Sequence, residues 1–487
     1  MSSRTPPPSD QPADRLWSGR FNTAPDPEAF DFGVSFPFDR RLFEDDVNGS
    51  RAWATAIQDA GVLTDADHQA IQDALAAILA AGLADPASVT GPDEDVHSFV
   101  ERKLVERVGD AGRRLHTGRS RNEQVSLDLR LYLRRRIPAV QRGVVSLVQA
   151  LVDQAAAAGD AVMPSYTHLR KAQPVLVAHF LLSHAAGLRR DYDRLAQASA
   201  EADALTLGSG AIAGTSYGVD TAALAARLGF SRVVLNSMDA SSDRDFVASF
   251  LYAVALTMVH LSRMAEDFIL FTGEEHGFFE LSDASATGSS MIPQKKNPDP
   301  LELVRGKSGR ALGRLTGWLA TMKSLPTGYN KDLQEDKEAT FDAEQTVLVS
   351  LAATRAVVAR LSLNPARTER AASGLLLATD VADYLVRRGV PFRRAHEIVG
   401  AMVRNLLAAG RDFSDLSLEE WRTASEAFGD DAPEAATARA SVGAKRTPQS
   451  TQPEAVRAAI AESRRWLAAA PGAPSRVMVL HSADPCA

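Results

Sequence analysis

The chain has 487 residues, of which 45% are hydrophobic and 24% are charged, so it is long enough for two to four domains with ample buried core. Its net charge is −7 and it has no long basic run, which argues against a nucleic-acid partner. The single cysteine, Cys486, cannot form an internal disulfide, and no cysteine and histidine residues stand at zinc-ligand spacing. We therefore expect a cytoplasmic protein without a structural metal.

Two segments bear on export and membrane insertion. Residues 1–15 are rich in proline and serine and lack the apolar core of a signal peptide, so we predict a disordered tail there. The most apolar stretch, 247–261, is about fifteen residues long with charged residues on both sides, which is too short to cross a bilayer. We expect a buried helix and no membrane association.

Apolar residues recur at helical spacing over unusually long spans, which are 125–151, 175–205, 246–271, 301–322 and 341–361. Helices of roughly twenty to thirty residues need a long partner surface on which to bury their apolar faces. Strand patterns are weak. The sequence therefore predicts a mainly α fold, with a central long-helix bundle at 121–372, a smaller helical domain at 16–120, and another at 373–487 that ends in a loose tail.

The second and third spans are apolar around much of their circumference, which predicts burial on more than one side and hence association with further copies of the chain. The segments between the long helices, 208–219, 273–297 and 324–337, are rich in glycine, serine, proline and asparagine. Loops at the ends of a bundle are common places for chemistry.

The segment HTGRSRNEQ at 116–124 places two guanidinium groups, two hydroxyls and two amides just before the first long helix. Such groups at a helix start suit the binding of carboxylates. A helix start capped by Ser120 or Asn122 would account for the same residues, and the sequence leaves both interpretations open.

The segment SYTHLRKAQP at 165–174 places His168 between a hydroxyl and two cations. Histidine is the side chain most readily tuned for proton transfer near neutral pH, although a lone histidine is more often structural.

The segment GSSMIPQKKN at 288–297 combines hydroxyls with two lysines directly before a helix, an arrangement that suits stabilisation of a carbanion beside a carboxylate. A flexible loop with a capping box formed by Asp299 and Glu302 is the alternative. The polar run YNKDLQEDKE at 329–338 could be an exposed helix start with Glu/Lys pairs, but that explains only its charges.

Taken together and in this order, these clusters resemble the argininosuccinate lyase family of the fumarase and aspartase superfamily. The resemblance extends from LWSGRF at 16–21 to about residue 460, and includes NSMDASSDRDF at 236–246. The loop at 288–297 is shared across the superfamily, but its Lys-Lys-Asn sequence at 295–297 is similar to the argininosuccinate version.

The resemblance implies a three-domain, mainly α subunit whose central helices assemble into a homotetramer with a twenty-helix core. Each active site would be built from three subunits. The implied reaction is the reversible anti elimination of argininosuccinate to arginine and fumarate, a step of arginine biosynthesis that uses no metal or organic cofactor.

The resemblance also assigns roles to individual residues. Proton transfer falls to His168 and Ser289, with Glu302 orienting His168, and the sequence does not say which of the first two is the base. The fumarate-forming half of the substrate would be bound by Thr167, Lys295 and Asn297. The rest of the substrate, chiefly its arginine moiety, would be bound by Ser35, Asn122, Tyr329, Gln334 and Lys337.

Three departures from the family pattern stand out. Met291 and Ile292 appear in swapped order, Glu123 replaces an aspartate, and the chain has Gln-Ser-Thr at 449–451 where the family tends to have Gly-Gly-Thr. None removes a catalytic group, but they leave open a related carbon-nitrogen lyase that acts on another N-substituted aspartate. A catalytically silent structural homologue is a further alternative, against which the presence of His168 and Ser289 argues.

Overall fold

The structure is a computed structural model that describes residues 26–470. The predicted tail at 1–15, the motif at 16–21 and the end of the C-terminal tail with Cys486 lie outside the described residues. The described chain is mainly helical, which confirms the predicted fold class. It divides into two compact units. The predicted domain boundaries at residues 120 and 372 remain predictions.

The first unit comprises residues 26–132, Asp203–Asp243 and Leu325–Glu338. Its core forms where the helix Phe43–Asp59 packs against the helices Asp65–Ala84 and Val96–Val108, burying Trp53 completely. Its remaining helices are Pro27–Gly33, Phe36–Asp39, Asp110–Arg114, Thr221–Arg227, Ser237–Ser242 and the start of Arg121–Ala158, with 3₁₀ turns at Arg40–Leu42, Pro86–Ser88 and Lys331–Gln334.

The second unit comprises Leu133–Ala202, Arg244–Ser324 and residues 339–470. Its long helices are the remainder of Arg121–Ala158, Val177–Ala202, Asp245–Thr272, Asp299–Met322 and most of Glu335–Val358. Shorter helices follow at Pro365–Ala371, Ala378–Arg387, Phe392–Ala409, Leu418–Ala424, Ala432–Ala435, Ala438–Ala444 and Pro453–Ala469, with 3₁₀ turns at Asp283–Ser285, Gly374–Leu377 and Phe413–Asp415.

The five long helices confirm the periodicity prediction, with corrected ends. The first is longer than expected, at 38 residues. The second begins at Val177, because the residues just before it form a strand, and it ends at Ala202. The prediction of a helix over 175–205 was therefore too long at both ends.

The helix Asp245–Thr272 corrects one argument from the sequence. It has 28 residues, and by length and composition it could cross a membrane, so the claim that its apolar stretch is too short was wrong. Over half of its most apolar window, 56%, is buried inside the protein, where it packs against Val177–Ala202 and Asp299–Met322. It is a buried core helix, as predicted.

The strands of the described chain form three antiparallel pairs, which are Val162–Thr167 with Arg170–Leu176, Phe279–Glu280 with Ser362–Leu363, and Thr287–Gly288 with Lys296–Asn297. The sequence did not predict any of them. The first pair is a hairpin that places its two-residue turn at His168 and Leu169, and the third closes the base of the loop at 288–297.

Candidate active site

A cavity of about 340 Å³ lies wholly within the first unit. Its wall contains all five residues expected to bind the amine half of the substrate, which are Ser35, Asn122, Tyr329, Gln334 and Lys337. They come from three stretches of chain that are far apart in the sequence, so their convergence on one cavity supports a common role.

The start of the helix Arg121–Ala158 positions Asn122 at this cavity. The Asn122 backbone N–H donates to Ser120 Oγ at 3.3 Å, and the Ser120 N–H donates to Glu123 Oε1 at 3.0 Å. The Asn122 side chain donates to the Ala211 carbonyl at 3.3 Å. The segment is therefore a capped helix start, and it also places Asn122 in the cavity wall. The binding of a substrate carboxylate by this segment remains a prediction.

The polar run at 329–338 is an exposed helix start only in part. A helix begins at Glu335, and Lys331, Asp332, Glu335 and Glu338 are exposed. Lys337 is buried and its Nζ donates to Asp336 Oδ1 at 2.8 Å, while Asp336 is itself fully buried. Gln334 donates to the Gly33 carbonyl at 3.4 Å, which ties this run to the segment that carries Ser35. The alternative, in which the charges of this run form solvated Glu/Lys pairs on a helix, is therefore wrong for Asp336 and Lys337.

Two acidic residues of the cavity wall are matched by cations. Asp95 lies 2.8 Å from Arg121 Nη1, and Glu94 lies 2.9 Å from Lys331 Nζ. Burial opposes ionisation of Asp95, yet the Arg121 guanidinium holds the pKa of that carboxyl far below its usual value. The Asp95 carboxylate is thus ionised and paired with Arg121, and the Glu94 carboxylate is paired with Lys331.

Glu123 and His116 have shifted pKa values for the same main reason. Burial raises the pKa of Glu123 to about 7, although the N–H of Ser120 and the charge of Arg119 oppose the shift. Burial also lowers the pKa of His116 to about 4, with help from Arg119 and Arg121. Low-dielectric surroundings disfavour the charged form of each group. His116 is therefore neutral at physiological pH.

The buried His97 lines the cavity and contacts two buried aspartates, and the sequence predicted none of the three. His97 Nδ1 lies 2.8 Å from Asp46 Oδ1 and 3.3 Å from Asp128 Oδ2, and Gln124 donates to the same Asp46 oxygen at 2.5 Å. Burial and the nearby Asp46 charge raise the pKa of Asp128 well above its usual value, which favours its protonated form.

These three side chains bring possible metal-ligand atoms within 4.8 Å of one another. His97 and Gln124 both engage Asp46 Oδ1, whereas Asp46 Oδ2, His97 Nε2 and both Asp128 carboxylate oxygens are buried without a hydrogen-bond partner among the described residues. No spacing rule could have found this cluster, because its members come from three separate helices.

His168 is the first residue of the hairpin turn in the second unit, and its side chain is exposed. It has φ 54° and Leu169 has φ 57°, whereas two-residue turns of this kind normally use asparagine and glycine. Non-glycine residues retained in this conformation occur preferentially at functional sites. The exposed position gives no support to a structural role for His168 in this chain, and its role in proton transfer remains a prediction. Thr167 ends the strand directly before it.

The loop at 288–297 carries Ser289 between two short strands. Ser289 Oγ accepts hydrogen bonds from the N–H groups of Met291 at 3.2 Å and Ile292 at 3.0 Å. Lys296 pairs with Asp283 at 2.8 Å, whereas within residues 26–470 Lys295 forms no ion pair. Of the two lysines of this loop, Lys296 is thus paired within the described chain and Lys295 is not.

Glu302 lies in the first turn of the helix Asp299–Met322 and is exposed. In the described part of this single chain it forms no hydrogen bond to His168. The predicted capping box is wrong, because the helix begins after Pro298 without a side-chain cap and Asp299 accepts a hydrogen bond from Thr287 instead.

Comparison with known proteins identifies the family. A family model described as lyase matches residues 19–313, and one described as argininosuccinate lyase C-terminal matches residues 375–443. The argininosuccinate lyase of Moorella thermoacetica is 48% identical over 455 residues, covering 93% of this chain and 98% of that protein. The chain belongs to the argininosuccinate lyase family. The family member from Roseiflexus castenholzii is 46% identical and covers 93% of this chain and 99% of its own.

Solved structures place this argininosuccinate lyase family member in the expected fold. A crystal structure of EDDS lyase in complex with formate has a TM-score of 0.81 at 28% identity and covers 91% of this chain and 90% of that one. A 3-carboxy-cis,cis-muconate lactonizing enzyme from Pseudomonas putida has a TM-score of 0.71 at 20% identity, which shows the fold alone.

Proposed function

We propose that the protein catalyses the reversible anti elimination of argininosuccinate to L-arginine and fumarate, a step of arginine biosynthesis. Nearly full-length identity of 45–48% to argininosuccinate lyases carries the assignment. A second observation supports the proposal, because the residues that the resemblance assigns to the amine half of the substrate line one cavity. They are Ser35, Asn122, Tyr329, Gln334 and Lys337.

The elimination removes a proton from the carbon beside a carboxylate, which builds a doubly charged aci-carboxylate. Cations and hydrogen-bond donors aimed at those oxygens before reaction lower the barrier. Thr167, Lys295 and Asn297 supply such groups in the second unit. The proposal requires no metal or organic cofactor.

Ser289 and His168 divide the two proton transfers, and we assign Ser289 as the base. Two backbone N–H groups point at its oxygen. Donors to the charged form of a group favour that form, so they would stabilise the alkoxide that a serine base must become. His168, with Glu302 orienting it, would then protonate the departing guanidino nitrogen.

We further propose a soluble, cytoplasmic homotetramer of three-domain subunits, with active sites shared between subunits and no nucleic-acid or membrane partner. Large apolar side chains on two long helices of the second unit are exposed in the single chain and call for a covering partner. They are Tyr252, Leu303, Leu312 and Leu319.

The direct test adds argininosuccinate to the purified protein and follows the ultraviolet absorbance of fumarate. We expect fumarate and arginine in equal amounts. A folded tetramer that produces neither would defeat the proposal. A panel of other N-substituted aspartates would reveal a related lyase with a different amine, and activity on none of them would indicate a silent homologue.

A further inference from the structure

The hairpin that carries His168 is irregular. Its strands pair in register up to Pro164↔Pro174, and between that pair and the next the first strand has a single residue, Ser165, whereas the second strand has two, 172–173. An extra residue on one strand of an antiparallel pair is a β-bulge, which changes the register of every pair beyond it. The bulge thus lies between the buried end of the hairpin and its turn.

The bulge determines the length of the turn. With the bulge, Thr167 pairs with Arg170, and the turn contains only His168 and Leu169. A regular ladder without it would pair Thr167 with Lys171 and leave a longer loop. Because side chains alternate between the two faces of a hairpin, such a change of register by one residue also reverses the face to which side chains of the second strand point. The position of His168 in a two-residue turn therefore depends on the bulge.

The Ser165 side chain bonds to both backbone groups of one bulge residue. Its hydroxyl donates to the Gln173 carbonyl at 2.8 Å and accepts from the Gln173 N–H at 3.2 Å. The adjacent pair offers no such donors, because neither Pro164 nor Pro174 has an N–H group. The partly buried Ser165 hydroxyl therefore supplies hydrogen bonds at a point where the ladder is short of donors.

The turn needs support of this kind. Both His168, with φ 54°, and Leu169, with φ 57°, adopt a left-handed conformation, which is costly for residues other than glycine and persists only where the surrounding structure fixes it. At the far end of the second strand, the Leu176 N–H donates to Thr451 Oγ1 at 2.7 Å. The Ser165 bonds lie between this anchor and the turn, where they oppose a slip of the second strand.

We propose that Ser165 is a positioning residue for the elimination, because its bonds to Gln173 hold the register that places His168 in a two-residue turn. The inference rests on the proposed function, which gives His168 its part in proton transfer. Ser165 acts through the hairpin and not by contact with the substrate. Proton transfer depends steeply on the placement of the transferring group, so a displaced turn should lower kcat more than it weakens substrate binding.

The test removes the hydroxyl in Ser165→Ala. We expect kcat for argininosuccinate to fall about tenfold or more, with KM within about threefold of the value for the unchanged enzyme. Ser165→Thr keeps a hydroxyl and should restore kcat to within about threefold. Ser183→Ala is the matched control, because it removes a serine hydroxyl that donates to the Phe180 carbonyl in the same unit, and its kcat should be unchanged.

Amide hydrogen exchange in the strand Arg170–Leu176, followed by mass spectrometry, tests the register without turnover. Exchange at Gln173 should be about fivefold faster in Ser165→Ala, as expected for the loss of one hydrogen bond, and should return to its original rate in Ser165→Thr. Thermal unfolding establishes that each variant folds. Ser165→Cys, whose thiol is a weak donor and acceptor, provides the same comparisons if Ser165→Ala does not fold.

A folded Ser165→Ala that is less stable but keeps its kcat would overturn the inference and leave Ser165 a structural role. Unchanged exchange at Gln173 would also overturn it, as would a Ser165→Thr variant that restores the exchange rate but not kcat. Failure of the unchanged enzyme to cleave argininosuccinate would defeat the proposed function and this inference with it, and the exchange measurement would still show whether Ser165 holds the hairpin.

Discussion

Ser289 lies on a loop whose backbone turns back on its hydroxyl, so that the N–H groups of Met291 and Ile292 reach the oxygen at 3.2 and 3.0 Å. We expect Ser289→Ala to lower kcat by about 10²-fold or more, as for loss of a general acid or base. Steady-state fumarate formation measures this. Ser290→Ala, one residue further along the same exposed loop, is the control, and turnover of Ser289→Ala close to that control would remove Ser289 from the mechanism.

Glu123 departs from the family pattern and has a pKa raised to about 7 by burial, against a usual value of 4.5. The folded protein therefore holds a proton that the unfolded chain releases between these pH values, so stability falls as pH rises through that window. At pH 8 the raised pKa of Glu123 lowers the free energy of unfolding by about 3 kcal/mol, as follows from the linkage between proton binding and folding. Glu123→Gln removes this titration.

We expect Glu123→Gln to gain stability relative to the unchanged chain on going from pH 5 to pH 8, measured by thermal unfolding at both values. Glu106→Gln is the control, because Glu106 is exposed and its pKa is lowered by Arg102. A difference between Glu123→Gln and the unchanged chain that is the same at both pH values would contradict the burial argument.

At the scale of single elements, the hairpin turn stores strain. Leu169 has φ 57° and an exposed side chain, so it occupies a conformation that glycine adopts without steric cost. Leu169→Gly should stabilise the protein by about 0.5–1 kcal/mol, since relief of that cost exceeds the added entropy of the unfolded chain. Differential scanning calorimetry measures the shift.

Leu407→Gly provides the comparison for this prediction, because Leu407 is also exposed but lies in the helix Phe392–Ala409. Glycine in a helix should cost up to about 1 kcal/mol. If both glycine variants are destabilised to the same extent, the turn is not strained.

The long helices were predictable because their apolar residues repeat at helical spacing over many turns. The hairpin at 162–176 was not, because its second strand contains arginine, lysine, alanine and glutamine and its turn is His-Leu rather than Asn-Gly. The capping prediction at Asp299 failed for a related reason. The local sequence allowed the cap, but the Asp299 carboxylate instead accepts a hydrogen bond from the Thr287 hydroxyl, which belongs to a neighbouring strand.

At the scale of the whole molecule, the site residues named from the resemblance include five that converge on one cavity. The spacing of residues in the sequence could not have predicted that Ser35 and Tyr329 line the same cavity, since nearly three hundred residues separate them. The acidic side of the same cavity, with Asp39 and His97, carries no sequence signal.

The exposed apolar face of the helix Asp299–Met322 allows a test of the proposed tetramer. Leu319 is 50% exposed on the helix Asp299–Met322, and a charge there would be buried in a tetramer that covers this helix. We expect Leu319→Glu to lower the mass measured by light scattering below that of a tetramer and to abolish activity, since shared sites need several subunits. Leu407→Glu should do neither. Full activity of a monomeric Leu319→Glu would contradict the shared-site proposal.

The cavity that would hold the amine lies within the first unit, while Thr167, His168, Ser289, Lys295 and Asn297 all belong to the second. Under the proposed function, substitutions in one unit would change the leaving group while the elimination chemistry stays intact in the other. Such modular inheritance would let one scaffold serve both a biosynthetic lyase and relatives such as EDDS lyase. It also marks the wall of this cavity as the place to begin when redesigning the enzyme for a new amine.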